Sequence, residues 1–63
     1  LRVTTRTYEG KPSTQVDVWS RDRYADAVVA DIAAKLGGRP CGNSVMWGRE
    51  VAAEEIERAA TRA

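Results

Sequence analysis

The hydrophobic period of this chain changes at Ser20. Residues 14–20 alternate, with Val16 and Val18 pointing one way, whereas Ala25, Val28, Val29, Ile32, Ala33 and Leu36 recur at the i, i+3, i+4 spacing of a helix. A half-buried strand therefore hands over to an amphipathic helix within a few residues. The remainder of a 63-residue chain has to be built around that junction.

Upstream, Val3, Thr4, Thr5, Thr7 and Tyr8 favour a pleated strand, and Glu9-Gly10-Lys11-Pro12-Ser13 holds turn formers. The reading is a hairpin over about residues 2–19 with a loop of four or five residues. Val3, Val16 and Val18, with Leu1 helping, line its inner face, while Arg2, Thr4 and Arg6 lie opposite, beside Gln15 and Asp17. Ser20 is placed to cap the next element and Asp22 to complement its positive end, so a helix is expected over about 21–36, closed by Gly37-Gly38. Residues 37–44 read as a loop, because Pro40 lacks a donor and Gly42-Asn43 favours a turn. A second helix is expected over about 45–62, starting from Ser44 as cap or only at Gly48. Val45, Ala52, Ile56, Ala59 and Ala63 trace its apolar stripe, widened by Met46, Val51 and Ala60. The fold class is α+β: one domain, residues 1–63, an N-terminal β-hairpin followed by two α-helices in the order β-β-α-α.

A chain this short has a thin core. Area scaling gives about 60% of the unfolded surface buried, and domains of this size usually recruit a disulfide, a metal or a second subunit. Cys41 is the only cysteine and there is no histidine, so self-association into a homodimer is the expected remedy. Ten Lys plus Arg against nine Asp plus Glu leave a formal charge of only +1, which excludes a strongly basic coat protein and an acidic mimic of nucleic acid alike. No apolar run reaches the roughly 18 residues of a membrane span, and the unpaired cysteine suits a reducing compartment, so a soluble, cytoplasmic protein is expected. Abundant Ala and Arg with little Lys suggest a GC-rich bacterial or phage genome.

Chemistry-bearing residues are few. Cys41, between Pro40 and Gly42, has no histidine to act as its base and reads as a small hydrophobe. Asp22, Asp26 and Asp31, and Glu50, Glu54, Glu55 and Glu57, read as solvated helix faces rather than as a paired acid–base or metal set. An enzyme is therefore not expected, nor is a cofactor. Trp47 with Met46 is expected as the largest packing unit of the core, whereas Trp19 either joins the core or, with Tyr8, forms an exposed contact patch. Arg2, Thr4 and Arg6 recur at two-residue spacing, so a strand would aim all three at one side, where they suit phosphates and base edges.

The segments Gln15-Val16-Asp17-Val18-Trp19, Ala33-Ala34-Lys35-Leu36-Gly37 and Asn43-Ser44 resemble the ribbon-helix-helix DNA-binding proteins, a group of repressors and antitoxins, over about three quarters of the chain. The resemblance implies strand pairing between two chains, insertion in the major groove and a last helix that begins at a phosphate. Asp17, the long 37–43 connection and the extra first strand depart from that pattern. The leading expectation is a dimeric DNA-binding regulator of phage or mobile-element type, with Arg2, Thr4, Arg6 and Gln15 making groove contacts and Arg39 and Ser44 near phosphate. The competing expectation is a protein-interaction module that docks a partner protein through Tyr8, Trp19 and the hairpin edge.

Overall fold

The computed structural model describes residues 1–19 and 24–60; Ser20, Asp22 and Ala63, expected as cap, first-turn acid and end of the last stripe, lie outside them. Six elements follow in order: β1 (Arg2–Tyr8), β2 (Lys11–Asp17), α1 (Ala25–Leu36), β3 (Arg39–Cys41), β4 (Ser44–Trp47) and α2 (Ala53–Ala60). The strands form one antiparallel sheet in the order β1-β2-β4-β3. The class is α+β, with both helices packed on one face of the sheet.

The first hairpin has the expected facing but a tighter turn than the expected loop of four or five residues. Tyr8 pairs with Lys11, so only Glu9 and Gly10 lie between the strands, with φ of 52° and 77°. Two successive positive values match the twist of the strands they join. Pro12 is tolerated inside β2 because it faces Thr7 at a position that sends its missing N–H away from β1, and β4 pairing begins only at Thr14.

The second half departs further from expectation. Residues 37–44 are not a loop throughout, since Arg39–Cys41 and Ser44–Trp47 make a second hairpin around Gly42-Asn43, with Gly42 at φ 59°. The helix expected over 45–62 is confined, among the described residues, to Ala53–Ala60. The physical reason is a period of two at 44–47: Val45 and Trp47 are buried and Ser44 and Met46 are half-buried on the other face. Ser44 is thus a strand residue and not a helix cap, Met46 leaves Trp47 for the opposite face, and Ala52 is exposed ahead of α2.

Val16, Val45 and Trp47 from the sheet, with Val18 just beyond β2, meet Ala25, Val29 and Ile32 of α1 and Ile56 and Ala59 of α2, with Val51 from the connection. Val3, Val28, Leu36 and Ala60 pack at its rim, while Leu1 stays 41% exposed and contributes little. Among the described residues Thr14 is the one polar side chain in this layer. Its hydroxyl donates to the Arg49 carbonyl at 2.9 Å and accepts from the Val51 amide at 3.0 Å, which redirects the chain from β4 toward α2. Lys35 of α1 donates to the Ala59 carbonyl at 3.1 Å, placing a cation at the negative end of α2.

Candidate nucleic-acid interface

Cross-strand partners share a face, so the pairing register fixes what the helix-free side of the sheet displays. One row runs Arg2, Asp17, Ser44, Cys41; the next runs Thr4, Gln15, Met46, Arg39; Arg6 with Ser13 and Tyr8 with Lys11 complete it toward the hairpin tip. All six residues expected to touch nucleic acid, Arg2, Thr4, Arg6, Gln15, Arg39 and Ser44, stand on this one face. Reasoning from sequence missed Lys11, which belongs with them because the turn is two residues long.

The register also separates charge in a way that the overall +1 conceals. Among the described strand residues, Arg2, Arg6, Lys11 and Arg39 are exposed on the helix-free face against a single strand carboxylate, Asp17, with Glu9 in the turn beside Lys11 as a second diluting charge. On the other side, Asp26 and Asp31 of α1 and Glu54, Glu55 and Glu57 of α2 outnumber Lys35 and Arg58. A cationic sheet thus backs onto acidic helices.

Asp17 organises the end row of the face. Its Oδ1 accepts from Ser44 Oγ at 2.6 Å and from Gln15 Nε2 at 2.8 Å. These bonds, Ser44 first, hold the carboxyl below its ordinary pKa against a small opposing effect of burial, with Arg2 and Arg6 adding attraction. Gln15 and Ser44 are thereby held in fixed orientations, and part of the Arg2 charge is met within the protein. Beyond Thr14 the first hairpin has no β4 beside it, so Arg6, Tyr8 and Lys11 project on a two-stranded ribbon.

At the other edge, Arg39 and Met46 also line an open cleft of about 760 Å³ with Gly38, Trp47 and Arg49. Trp47 Nε1 and Arg49 Nη2 both donate to the Leu36 carbonyl there, at 3.2 and 3.3 Å, so the end of α1 is closed by side chains of the β4 region. Trp19 and Tyr8, 66% and 75% exposed, lie near opposite ends of β2, separated by at least about 20 Å of strand, so the structure does not bring them into one patch.

Compared with known protein families, curated proteins and solved structures, the chain matches none.

Proposed function

We propose that this protein is a non-enzymatic binding protein that lays the helix-free face of its sheet against double-stranded DNA. The observation that carries the reading is the segregation of charge: four exposed cations, interleaved with Thr4, Gln15 and Ser44, occupy one face while most described carboxylates occupy the other. Phosphate contacts provide most non-specific affinity and release counterions, so such a face binds duplex in a salt-dependent manner. Gln15 and Thr4, adjacent in the central row, supply hydrogen-bonding groups for base edges, and Arg39 and Arg2 flank them as backbone contacts. The face has Tyr8 as its one aromatic within a strand, and that lies at the ribbon tip, so a stacking platform for unpaired bases is not what the rows build.

The test is fluorescence anisotropy with a random-sequence duplex between 50 and 200 mM salt. Binding that weakens steeply over this range supports the reading, and absence of binding at the lower salt sinks it. A second reading, docking of a partner protein, rests on the exposure of Trp19. Under it, DNA binding is absent and capture of a partner depends on Trp19.

A further inference from the structure

The two edges of the sheet are not alike. β3 is three residues long and carries Pro40, which cannot extend a hydrogen-bonded ladder, so that edge is guarded. β1 is seven residues long and contains no proline or inward-facing charge. Tyr8 and Lys11 flank the two-residue turn, which makes theirs a hydrogen-bonded pair and alternates the pattern along β1. Val3, Thr5 and Thr7 therefore turn their N–H and C=O groups to the free edge.

We propose that the occupant of this edge is β1 of a second copy, paired antiparallel about a two-fold axis at Thr5. Charge selects the register. An axis at Thr4 would set Arg2 against Arg6 of the second copy, and an axis at Arg6 would set that residue against itself; both oppose like charges directly. Axes at Val3 or Thr7 pair only part of the strand. With the axis at Thr5 all seven residues of β1 pair: Val3 meets Thr7 of the second copy, Thr5 meets Thr5, Thr4 meets Arg6, and Arg2 meets Tyr8. Arg2 then lies between the exposed Tyr8 ring and its own cross-strand partner Asp17, so a cation–π contact adds to the attraction of the Asp17 charge. The arginines that would clash in neighbouring registers thus specify this one.

The product is an eight-stranded antiparallel sheet whose helix-free face is continuous across both copies. Seven inter-strand steps of about 4.8 Å separate the two β3 strands, so the two Arg39 side chains stand about 34 Å apart. That matches one turn of duplex, about 34 Å, and this part of the inference rests on the DNA-binding reading.

The pairing itself is tested without DNA. Light scattering across micromolar to millimolar concentrations should give twice the 6.9 kDa chain mass. Thr5→Pro removes an outward N–H and no bond to β2, so it should give a chain of native circular dichroism and single mass, whereas Thr5→Val should stay dimeric. In a Cys41→Ser background, Thr5→Cys should oxidise to a cross-linked dimer and Thr7→Cys should not, because Thr7 faces Val3. A single mass at millimolar concentration, or a dimer that neither Thr5→Pro dissociates nor Thr5→Cys cross-links, overturns the proposal. Should Thr5→Pro unfold, the two cysteine variants decide alone. A dimer that ignores duplex leaves the pairing standing and removes the DNA reading; a single chain that binds duplex does the reverse.

Discussion

Gly38 lies against the Trp47 indole so closely that a Cβ added to it would stand 2.7 Å from Nε1 and 2.9 Å from Cε2, with Val45 Cγ1 also at 2.9 Å. Its φ of 99° is a second reason for glycine. The contact joins three levels of the molecule. It seats the largest core side chain, brings Nε1 to the Leu36 carbonyl at the end of α1, and starts β3 at the position that puts Arg39 on the cationic face.

Gly38→Ala should accordingly cost more than backbone strain alone, about 2 kcal/mol or above, and should displace Trp47. Gly42→Ala is the control: its φ is 59° but nothing lies within 4 Å of the added methyl, so about 1 kcal/mol is expected. Urea unfolding followed by tryptophan fluorescence separates the two. Equal costs would show that the close approach to the indole carries no weight.

Thr14→Val keeps the shape of the side chain and deletes both hydroxyl bonds, leaving the Val51 amide without its partner. Destabilisation of about 1–3 kcal/mol is expected, which in a domain this small is a shift of roughly 4–24 °C in Tm. Thr14→Ser should recover most of the loss. Hydrogen exchange at the Val51 amide is the local check, since protection should fall in the valine variant and persist in the serine one.

How much of this was legible beforehand follows from which periods were long enough to read. The seven-residue alternation of the first hairpin and the unbroken stripe through Val29 and Ile32 point to the strands, the helix and its inner face, and with them the common face of Arg2, Thr4, Arg6, Gln15 and Asp17, although β2 ends at Asp17 rather than at about 19 and α1 begins at Ala25 rather than at about 21. Ser44–Trp47 is only four residues, and Val45 and Ala52 also fit a helical repeat with Ile56, so a short strand was absorbed into the following helix. Tertiary pairing with β2 decided otherwise. The resemblance expects Arg39 and Ser44 beside a helix start, whereas the structure carries them onto this face through β3 and β4.

Asp17 makes an acid-limb prediction. Its folded-state pKa is lowered, so the carboxylate is the form that favours folding. Its contribution is fully present above the ordinary value of 3.8 and is lost as pH falls through the lower folded value. Asp17→Asn should flatten the fall in stability below about pH 4, measured by urea unfolding at successive pH values. Ser44→Ala, removing the largest cause of the shift, should move the Asp17 titration seen by carboxyl NMR back toward the ordinary value. An unmoved titration would mean that the hydroxyl bond does not hold the charge.

The same carboxylate and its neighbours separate specific charge effects from folding in DNA binding. Four phosphate contacts imply a salt slope of about −3.6, a loss of roughly 150-fold in affinity between 50 and 200 mM. Replacing Arg2 and Arg6 together by Ala halves the cations on the face, and the loss over the same range should shrink to about 12-fold. Asp17→Asn should act in the opposite direction, tightening binding at low salt although it weakens the fold, because it removes the carboxylate that stands in the strand rows with the four cations. Glu54→Gln on α2 removes the same charge from the far side and should leave affinity nearly unchanged, since exposed charges beyond a Debye length of about 10 Å are screened. Anisotropy titrations of the four proteins check all of this at once. Equal gains from Asp17→Asn and Glu54→Gln would mean that DNA responds to overall charge and not to the helix-free face.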